Sequence, residues 1–333
     1  MPQPAVSSAM SPLGVTEMLV YSLPMRTRFR GITVREGLLI RGSAGWGEFS
    51  PFWDYEIAEA RRWWPSALEA AAGDWPEPVR DRIPVNCIVP ADDPELAQQI
   101  VRDSGCRTAK VKVAEPGQSH AEDVQRVAAV RDALGPGGAI RIDANAAWSV
   151  DQAVLAITDL DRAAGGLEYA EQPCASLEEL VAVRRRVRVL IAADESIRRA
   201  DDPLRVALAE AADIAVLKVQ PLGGVRRALT VAESCGLPVV VSSALETSVG
   251  LAAGVALAAA LPELPYACGL ATLALLDGDV CSDPLLPVDG FLPVRTVDPD
   301  LRADVTADEA TTRRWYDRLS QISGSTRTAE LMA

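Results

Sequence analysis

The sequence predicts an α/β protein in which one TIM-type (β/α) barrel carries a smaller α+β domain. Three observations lead there. The chain has 333 residues, more than one hydrophobic core usually serves, and 49% of them are hydrophobic. From Pro84 onward, short β-branched runs alternate with amphipathic Ala/Leu/Arg/Asp stretches, the pattern of repeated βα units on a parallel sheet. Five strand-like runs end near Lys112, Asp143, Glu171, Asp194 and Lys218, at steps of 31, 28, 23 and 24 residues. One barrel unit takes roughly 25 to 30 residues, so this spacing sets the five side chains around one rim.

Taken in order, residues 1–14 are rich in Pro, Ser and Ala and are expected to fray. R-E-G-L-L-I-R-G and G-W-G-E-F-S read as two strands with Ser43, Ala44 and Gly45 as their turn. Tyr55 to Ala72 reads as one helix ending at Gly73 as C-cap. Residues 1–83 are therefore the α+β domain. Strands are expected near 84–89, 109–113, 139–143, 167–171, 189–194, 214–219, 238–242 and 266–270, within a barrel spanning 84–285. Their continuous apolar character suits strands covered on both faces. The period recurs, whereas no residue motif does. After residue 285 the rhythm breaks. G-F-L-P-V-R reads as one more strand, and Thr306 to Ile322 as a helix with Asp308 and Glu309 in its first turn. The segment 286–322 is expected to fold back on the first domain, and the polar 323–333 to be disordered.

Composition removes several functions. Against 33 Lys and Arg stand 46 Asp and Glu, a net charge of −13, which argues against nucleic acid as a partner. The apolar run Val249–Leu261 is cut short by Pro262 and Pro265, so it reads as a buried barrel helix and no membrane span is expected. The start lacks the basic and apolar regions of a signal peptide, so the expected location is cytoplasmic. Six scattered cysteines without a C-x-x-C pair suit reduced thiols. The single histidine, His120 in P-G-Q-S-H-A-E, excludes a two-histidine zinc site.

The rim carries the chemistry. A-I-R-I-D-A-N, L-E-Y-A-E-Q-P and L-I-A-A-D-E-S place Asp143, Glu171 and Asp194 at three consecutive strand ends, where barrel enzymes keep their catalytic groups. One such acid reads equally well as a helix N-cap; three in succession read as a set. As hard oxygen donors they favour Mg²⁺, or Mn²⁺, over zinc or copper. Lys112 in A-K-V-K-V and Lys218 in A-V-L-K-V-Q-P flank the acids. Lysine within an apolar run is expensive to bury unless paired. Beside a bound cation it becomes a base suited to removing a proton next to a carboxylate, since the cation stabilises the enediolate that forms.

K-V-K, D-A-N, E-Q-P, A-D-E-S and L-K-V-Q-P-L-G-G resemble the motifs of the enolase superfamily, muconate-lactonizing subgroup. With G-W-G-E-F-S-P-F and V-V-S-S-A-L-E-T-S-V-G, the chain is similar to the o-succinylbenzoate synthase family of menaquinone biosynthesis in its actinobacterial form, from about residue 15 to 320. The resemblance implies a modified TIM barrel with an α+β capping domain completed by the chain's last segment. It implies Asp143, Glu171 and Asp194 as Mg²⁺ ligands, Lys112 as general base and Lys218 as the opposing, charge-stabilising lysine. Lys110 would support the substrate carboxylate or tune Lys112, and Asn145 and Glu195 would orient the ligands. The implied enzyme is a hydro-lyase that carries out a syn dehydration of 2-succinyl-6-hydroxy-2,4-cyclohexadiene-1-carboxylate to 2-succinylbenzoate.

Specificity is expected from other segments. The stretch 24–30 lies where the family has a cap loop, and its Arg26 and Arg28 suit a small-molecule dicarboxylate substrate. Ser242, Ser243 and Gly269 fall at late strand ends, where carboxylate anchoring is expected. Dipeptide epimerases of the subgroup carry Asp-x-Asp near the eighth strand, whereas this chain has A-C-G-L-A-T-L. N-succinylamino acid racemisation is the alternative, because it needs both lysines. The family accommodates a monomer or a homo-oligomer.

Overall fold

A computed structural model describes residues 14–199, 204–300, 302 and 304–323; most of the expected frayed start and nearly all of the expected disordered tail lie outside the described residues. The chain opens with an antiparallel sheet of β1 (Glu17–Phe29), β2 (Ile32–Arg41) and β3 (Trp46–Phe49) in that order. β1 was not among the expected strands. Its alternation L-V-Y-S-L buries Leu19, Tyr21 and Leu23, and Pro24 is tolerated because β1 is an edge strand. The expected cap loop at 24–30 is thus the end of β1 and the turn of a hairpin, with Arg30 and Gly31 at positive φ.

The single helix expected over 55–72 is two, α1 (Ile57–Arg61) and α2 (Trp64–Ala72). Pro65 supplies the physical reason: it fits the first turn of a new helix but not the interior of a continuous one. α2 ends at Gly73 in the left-handed conformation. The G-W-G-E motif lies under this helix, where a Cβ on Gly47 would stand 2.0 Å from the Ala67 carbonyl oxygen.

β4 (Arg82–Pro84) leads into the barrel of β5 (Cys87–Val89), α3 (Pro94–Ser104), β6 (Thr108–Lys112), α4 (His120–Leu134), β7 (Ala139–Asp143), α5 (Val150–Ala164), β8 (Tyr169–Glu171), α6 (Leu177–Arg184) and β9 (Ile191–Ala193). It continues through α7 (Glu195–Arg198), α8 (Arg205–Leu208), β10 (Ile214–Leu217), α9 (Val219–Leu222), α10 (Val225–Cys235), β11 (Val239–Val241) and α11 (Ser248–Ala260). Seven parallel strands lie in the order β11-β10-β9-β8-β7-β6-β5. The eighth, expected over 266–270, survives as bridges only: Ser242 to Gly269 on one side and Val85 to Cys268 on the other. These two bridges close the barrel. Ser119, Ser149 and Ser176 start α4, α5 and α6 with full capping boxes, so S-H-A-E, S-V-D-Q and S-L-E-E mark three successive βα junctions.

Beyond a 3₁₀ turn at Thr272–Leu275, β12 (Phe291–Pro293) pairs with β4, and α12 (Glu309–Ser323) closes the described chain. Asp308 is the residue before that helix, accepting the Thr311 amide at 2.7 Å. Trp315 of α12 packs on Phe49 and Trp53, and Arg318 donates to the carbonyls of Pro51, Phe52 and Tyr55. Among the described residues no helix is long and apolar enough to cross a membrane.

Candidate active site

Strand alternation decides which side chains enter the barrel. Ala109, Val111, Ile140, Ile142, Ala170 and Leu217 face the helices and join the main core, whereas Tyr169, Ala192, Ile214, Val216 and Val240 form a separate cluster inside. Continuing that inward set one step toward the carboxyl ends gives Glu171, Asp194, Lys218 and Ser242; the same alternation on β6 and β7 gives Lys110, Lys112, Arg141 and Asp143. Register then aligns them, since Lys112 pairs across with Asp143 and Asp143 with Glu171.

The predicted acids and lysines meet. Lys112 Nζ donates to Asp143 Oδ2 at 2.6 Å and to Asn145 Oδ1 at 2.6 Å, while Lys218 Nζ donates to Asp194 Oδ2 at 2.7 Å. Lys110 lies one pleat deeper and is 5% exposed. It donates to both oxygens of Glu171 at 2.8 and 3.0 Å and pairs with Asp143 Oδ2 at 3.1 Å. Lys110 and Lys112 therefore share one carboxylate oxygen. The fold puts Lys110 under the acids, with its ammonium on Glu171 and Asp143.

Electrostatics separates the three acids. Burial alone would raise Asp143, but Lys112 and Lys110 hold it far below the usual carboxylate range. For Asp194 burial is likewise overcome, by Arg198 and Lys218, leaving it at about 2. Glu171 goes the other way: burial, then the charge of Asp143, push it up to about 7 against Lys110. Burial pulls the Lys110 ammonium down, yet Glu171 and Asp143 outweigh it and raise it well above the ordinary value.

Asn145 takes the left-handed region at φ 45°, which Asn tolerates well. That turn lets its amide donate to Asp143 Oδ1 at 3.0 Å while its side chain links Lys112 to Glu195, 3.3 Å away. Glu195 Oε1 also accepts from Arg198 at 2.6 Å, and Glu195 Oε2 is buried without a hydrogen-bond partner. Three buried carboxylates on adjacent strand ends, with a fourth holding an orphaned oxygen, form a hard oxygen donor set. As they stand the oxygens are engaged by ammonium groups, and among the described residues no three acid, histidine or cysteine side chains are arranged as a closed metal cage. The donor chemistry and the repulsion expressed at Glu171 fit a hard divalent cation.

Other predicted residues fall outside this knot. Ser242 Oγ donates to Gly269 O at 3.4 Å, and Ser243 Oγ pairs with Thr272 Oγ1 at 2.5 Å. Gly269 is required by closeness, because a Cβ there would stand 2.6 Å from Ser242 Oγ. Arg26 Nε is committed to Leu276 O at 2.9 Å, and Arg28 is exposed. From the same hairpin, the Phe29 ring centroid lies 5.3 Å from Lys112 Nζ.

Sequence reasoning missed four supporting residues. Gln172, at φ 40°, spends its buried amide on Cys174 O, Ser196 Oγ and the amides of Asp194 and Ser196, tying β8 to β9. Arg198 holds Asp194 Oδ1 at 2.9 Å and Tyr55 Oη at 2.6 Å. Tyr55 Oη also accepts from Arg30 at 3.1 Å, so the hairpin turn is linked to a rim acid through three hydrogen bonds that run by way of Tyr55 and Arg198. Arg141, two residues before Asp143, fills the barrel floor against Glu168, Asn86 and Ala267 O. A charged residue at an inward strand position was the available signal for Arg141. An arginine four residues after Asp194 was the signal for Arg198. An open cleft of about 450 Å³ beside Trp53, Arg313 and Arg314 contains none of the rim groups.

Comparison with known proteins agrees with this architecture. Residues 92–300 match the family described as Enolase C-terminal domain-like and residues 20–71 the one described as Enolase N-terminal domain-like. An o-succinylbenzoate synthase from Thermobifida fusca is 68% identical over 302 residues, covering 90% of this chain and 94% of that protein. One from Mycolicibacterium smegmatis is 56% identical, covering 90% and 93%. Among solved structures, muconate lactonizing enzyme from Pseudomonas fluorescens superposes with a TM-score of 0.72 at 22% identity, covering 90% of this chain and 97% of that one. The L-Ala-D/L-Glu epimerase of Bacillus subtilis gives 0.72 at 23%, covering 87% and 98%. These two likenesses concern the fold, whereas the far higher identities carry the assignment: the chain belongs to the o-succinylbenzoate synthase family of the enolase superfamily.

Proposed function

We propose that the chain is an o-succinylbenzoate synthase of menaquinone biosynthesis, a hydro-lyase that dehydrates 2-succinyl-6-hydroxy-2,4-cyclohexadiene-1-carboxylate to 2-succinylbenzoate. The observation that carries the reading is the set of three buried acids on adjacent strand ends between lysines from two sides. Identity of 53–68% to named synthases over nine-tenths of the chain supports the substrate.

Superfamily members generally use a divalent metal; here Asp143, Glu171 and Asp194 would hold Mg²⁺, or Mn²⁺ in its place. When bound, such a cation acts as a Lewis acid toward the substrate carboxylate. The remaining steps belong to the protein. Lys112 removes the proton beside the carboxylate, with Asp143 and Asn145 holding its Nζ in place. Lys218, on the far side of the acids, offers its charge to the enediolate. The proton on Lys112 then goes to the departing hydroxyl on the same face, which accounts for syn elimination. Aromatisation drives that second half, so the first proton transfer sets the demand on the site. The Phe29 ring of the hairpin packs beside Lys112, its centroid 5.3 Å from Nζ.

The test is the ultraviolet change on mixing the protein, Mg²⁺ and the cyclohexadiene, with a chelator control. Rapid, chelator-sensitive loss of the diene band is expected. A folded, cation-binding protein that leaves the band unchanged would discard the substrate.

A further inference from the structure

The peptide that follows Lys112 is held from both ends. The Lys112 carbonyl accepts from Arg126 Nη1 at 3.0 Å, and the Val113 amide donates to the Asp143 carbonyl at 3.1 Å. A peptide unit is planar, so two opposed hydrogen bonds fix its orientation. The preceding residues of β6 are paired with β5 and β7, so the direction in which the Lys112 side chain leaves the backbone is set. One residue further, the Ala114 amide donates to Asp123 Oδ2 at 2.9 Å, and Ala114 takes the left-handed region at φ 60°. An alanine keeps that conformation only where its surroundings impose it.

Both holding side chains come from α4, whose start the Ser119 capping box fixes. Asp123 and Arg126 lie one turn apart on it, 3% and 1% exposed, with Arg126 Nη1 on Asp123 Oδ1 at 2.8 Å. Arg126 Nε donates to Asp92 O at 2.8 Å in the loop after β5, and Nη2 donates to Gln118 Oε1 in the loop after β6. One planar guanidinium thus joins the loops after two adjacent strands, a spread of acceptors that a lysine ammonium does not match. A buried ion pair is weak support for stability, because apolar residues of the same volume often serve as well. What this pair determines is geometry at the end of β6.

We propose that Arg126, with Asp123 as its partner, is the positioning residue for Lys112: it holds the base by its backbone, as Asp143 and Asn145 hold it by its Nζ. The inference rests on the reading of Lys112 as the base of the dehydration. No rim carboxylate is among the hydrogen-bond acceptors of Arg126 in the described chain, so its effect reaches the chemistry through Lys112 alone. Nζ stands at the far end of four methylenes, and a small turn of the backbone moves it by more than the turn itself. A misplacement of about 1 Å at a reacting group can cost on the order of 10²-fold in rate. The loss therefore falls on proton transfer, and the binding of substrate and cation is spared.

The test is Arg126→Met in the full-length chain. Lys110, Lys112 and Lys218 are the three lysines of the sequence, so lysine labelled with carbon-13 at Cε gives three side-chain NMR signals. The Lys112 signal should move in Arg126→Met, while that of Lys218, on the other side of the acids, stays. In diene turnover, kcat per Mg²⁺-binding site should fall about 10- to 100-fold, with KM and Mg²⁺ affinity within about twofold of the parent. Sites are counted by calorimetric titration, which removes the effect of any unfolded fraction. Asp123→Asn keeps the volume but turns one acceptor oxygen into a donor. It should show the same pattern with a severalfold loss, and it decides the matter if Arg126→Met does not fold. A kcat per site equal to the parent's, a Lys112 signal that stays, or Lys112 and Lys218 signals that move alike overturns the proposal. The lysine signals need no substrate: a parent chain that leaves the diene untouched fails the synthase reading, and the Lys112 signal still decides this one.

Discussion

Lys112 and Lys218 engage different acids, and the two substitutions should separate their roles. Lys112 has Asp143 and Asn145 to hold a proton-transfer geometry, whereas Lys218 has only Asp194 among its hydrogen-bond acceptors in the described rim. Lys112→Ala is expected to lower kcat by about 10²–10⁴ while a divalent cation still binds, as calorimetric titration would show. Arginine substitutions sharpen the distinction. A guanidinium keeps its charge but does not give up its proton at working pH. Lys218→Arg should therefore retain measurable turnover and Lys112→Arg should not; equal loss in steady-state assays would contradict a purely electrostatic Lys218. These residues were legible in the sequence because each is a charge at an inward strand position. Lys110 was legible as a residue but not in its partner, since nothing local shows that its ammonium reaches Glu171.

At the scale of elements, the start of α11 is capped from another sheet. Glu48 of β3 accepts from the Thr247 amide at 3.1 Å, the Thr247 hydroxyl at 2.5 Å and the Gly250 amide at 3.0 Å, and from Tyr21 at 2.8 Å. A buried carboxylate at a helix N-terminus satisfies orphan amides and meets the positive end of the dipole. Glu48→Ala should lower unfolding free energy by about 2–4 kcal/mol in denaturant titration, because several buried donors lose their acceptor. Glu246 lies in the same junction, its carboxyl pushed up to about 7 by burial and then by the charge of Glu48. The fold thus favours its protonated form. That contribution is complete below the ordinary value of 4.5 and is lost as pH rises through about 7. Glu246→Gln should flatten the decline in Tm between about pH 5 and pH 8, and should be more stable than the parent at the upper end by up to about 3 kcal/mol. The serine capping boxes of α4, α5 and α6 could be read in the sequence because both partners lie within one turn. The cap on α11 could not, since its acceptor is 199 residues away.

At the scale of the whole molecule, the first sheet and the barrel are joined on both sides of the rim. Arg35 of β2 donates to Leu245 O at 2.7 Å and to Ser50 Oγ at 2.8 Å, holding the loop after β11 against the strand end that carries Glu48. On the other side, Arg30 stacks on Phe52 at 3.9 Å and shares Tyr55 Oη with Arg198, which in turn grips Asp194. These partners are up to 210 residues apart, so composition and periodicity could supply the two parts but not the joint between them. Their chemistry differs. The Arg35 joint is a buried polar network whose loss would loosen the fold, while the Tyr55 joint links the hairpin bearing Phe29 to a rim acid. Tyr55→Phe removes one oxygen and leaves the ring packed on Phe52 and Trp63. It should cost about 1–3 kcal/mol of stability, the loss of an acceptor shared by two guanidinium groups. The larger consequence falls on the hairpin, whose turn is then held by Asp54 at an exposed 3.4 Å contact and by stacking. Substrate binding must then order that turn, so KM should rise severalfold more than kcat falls. Steady-state kinetics on Tyr55→Phe beside hydrogen exchange over residues 27–31 checks this: a raised KM without faster exchange there would place the effect at Asp194 instead of the hairpin.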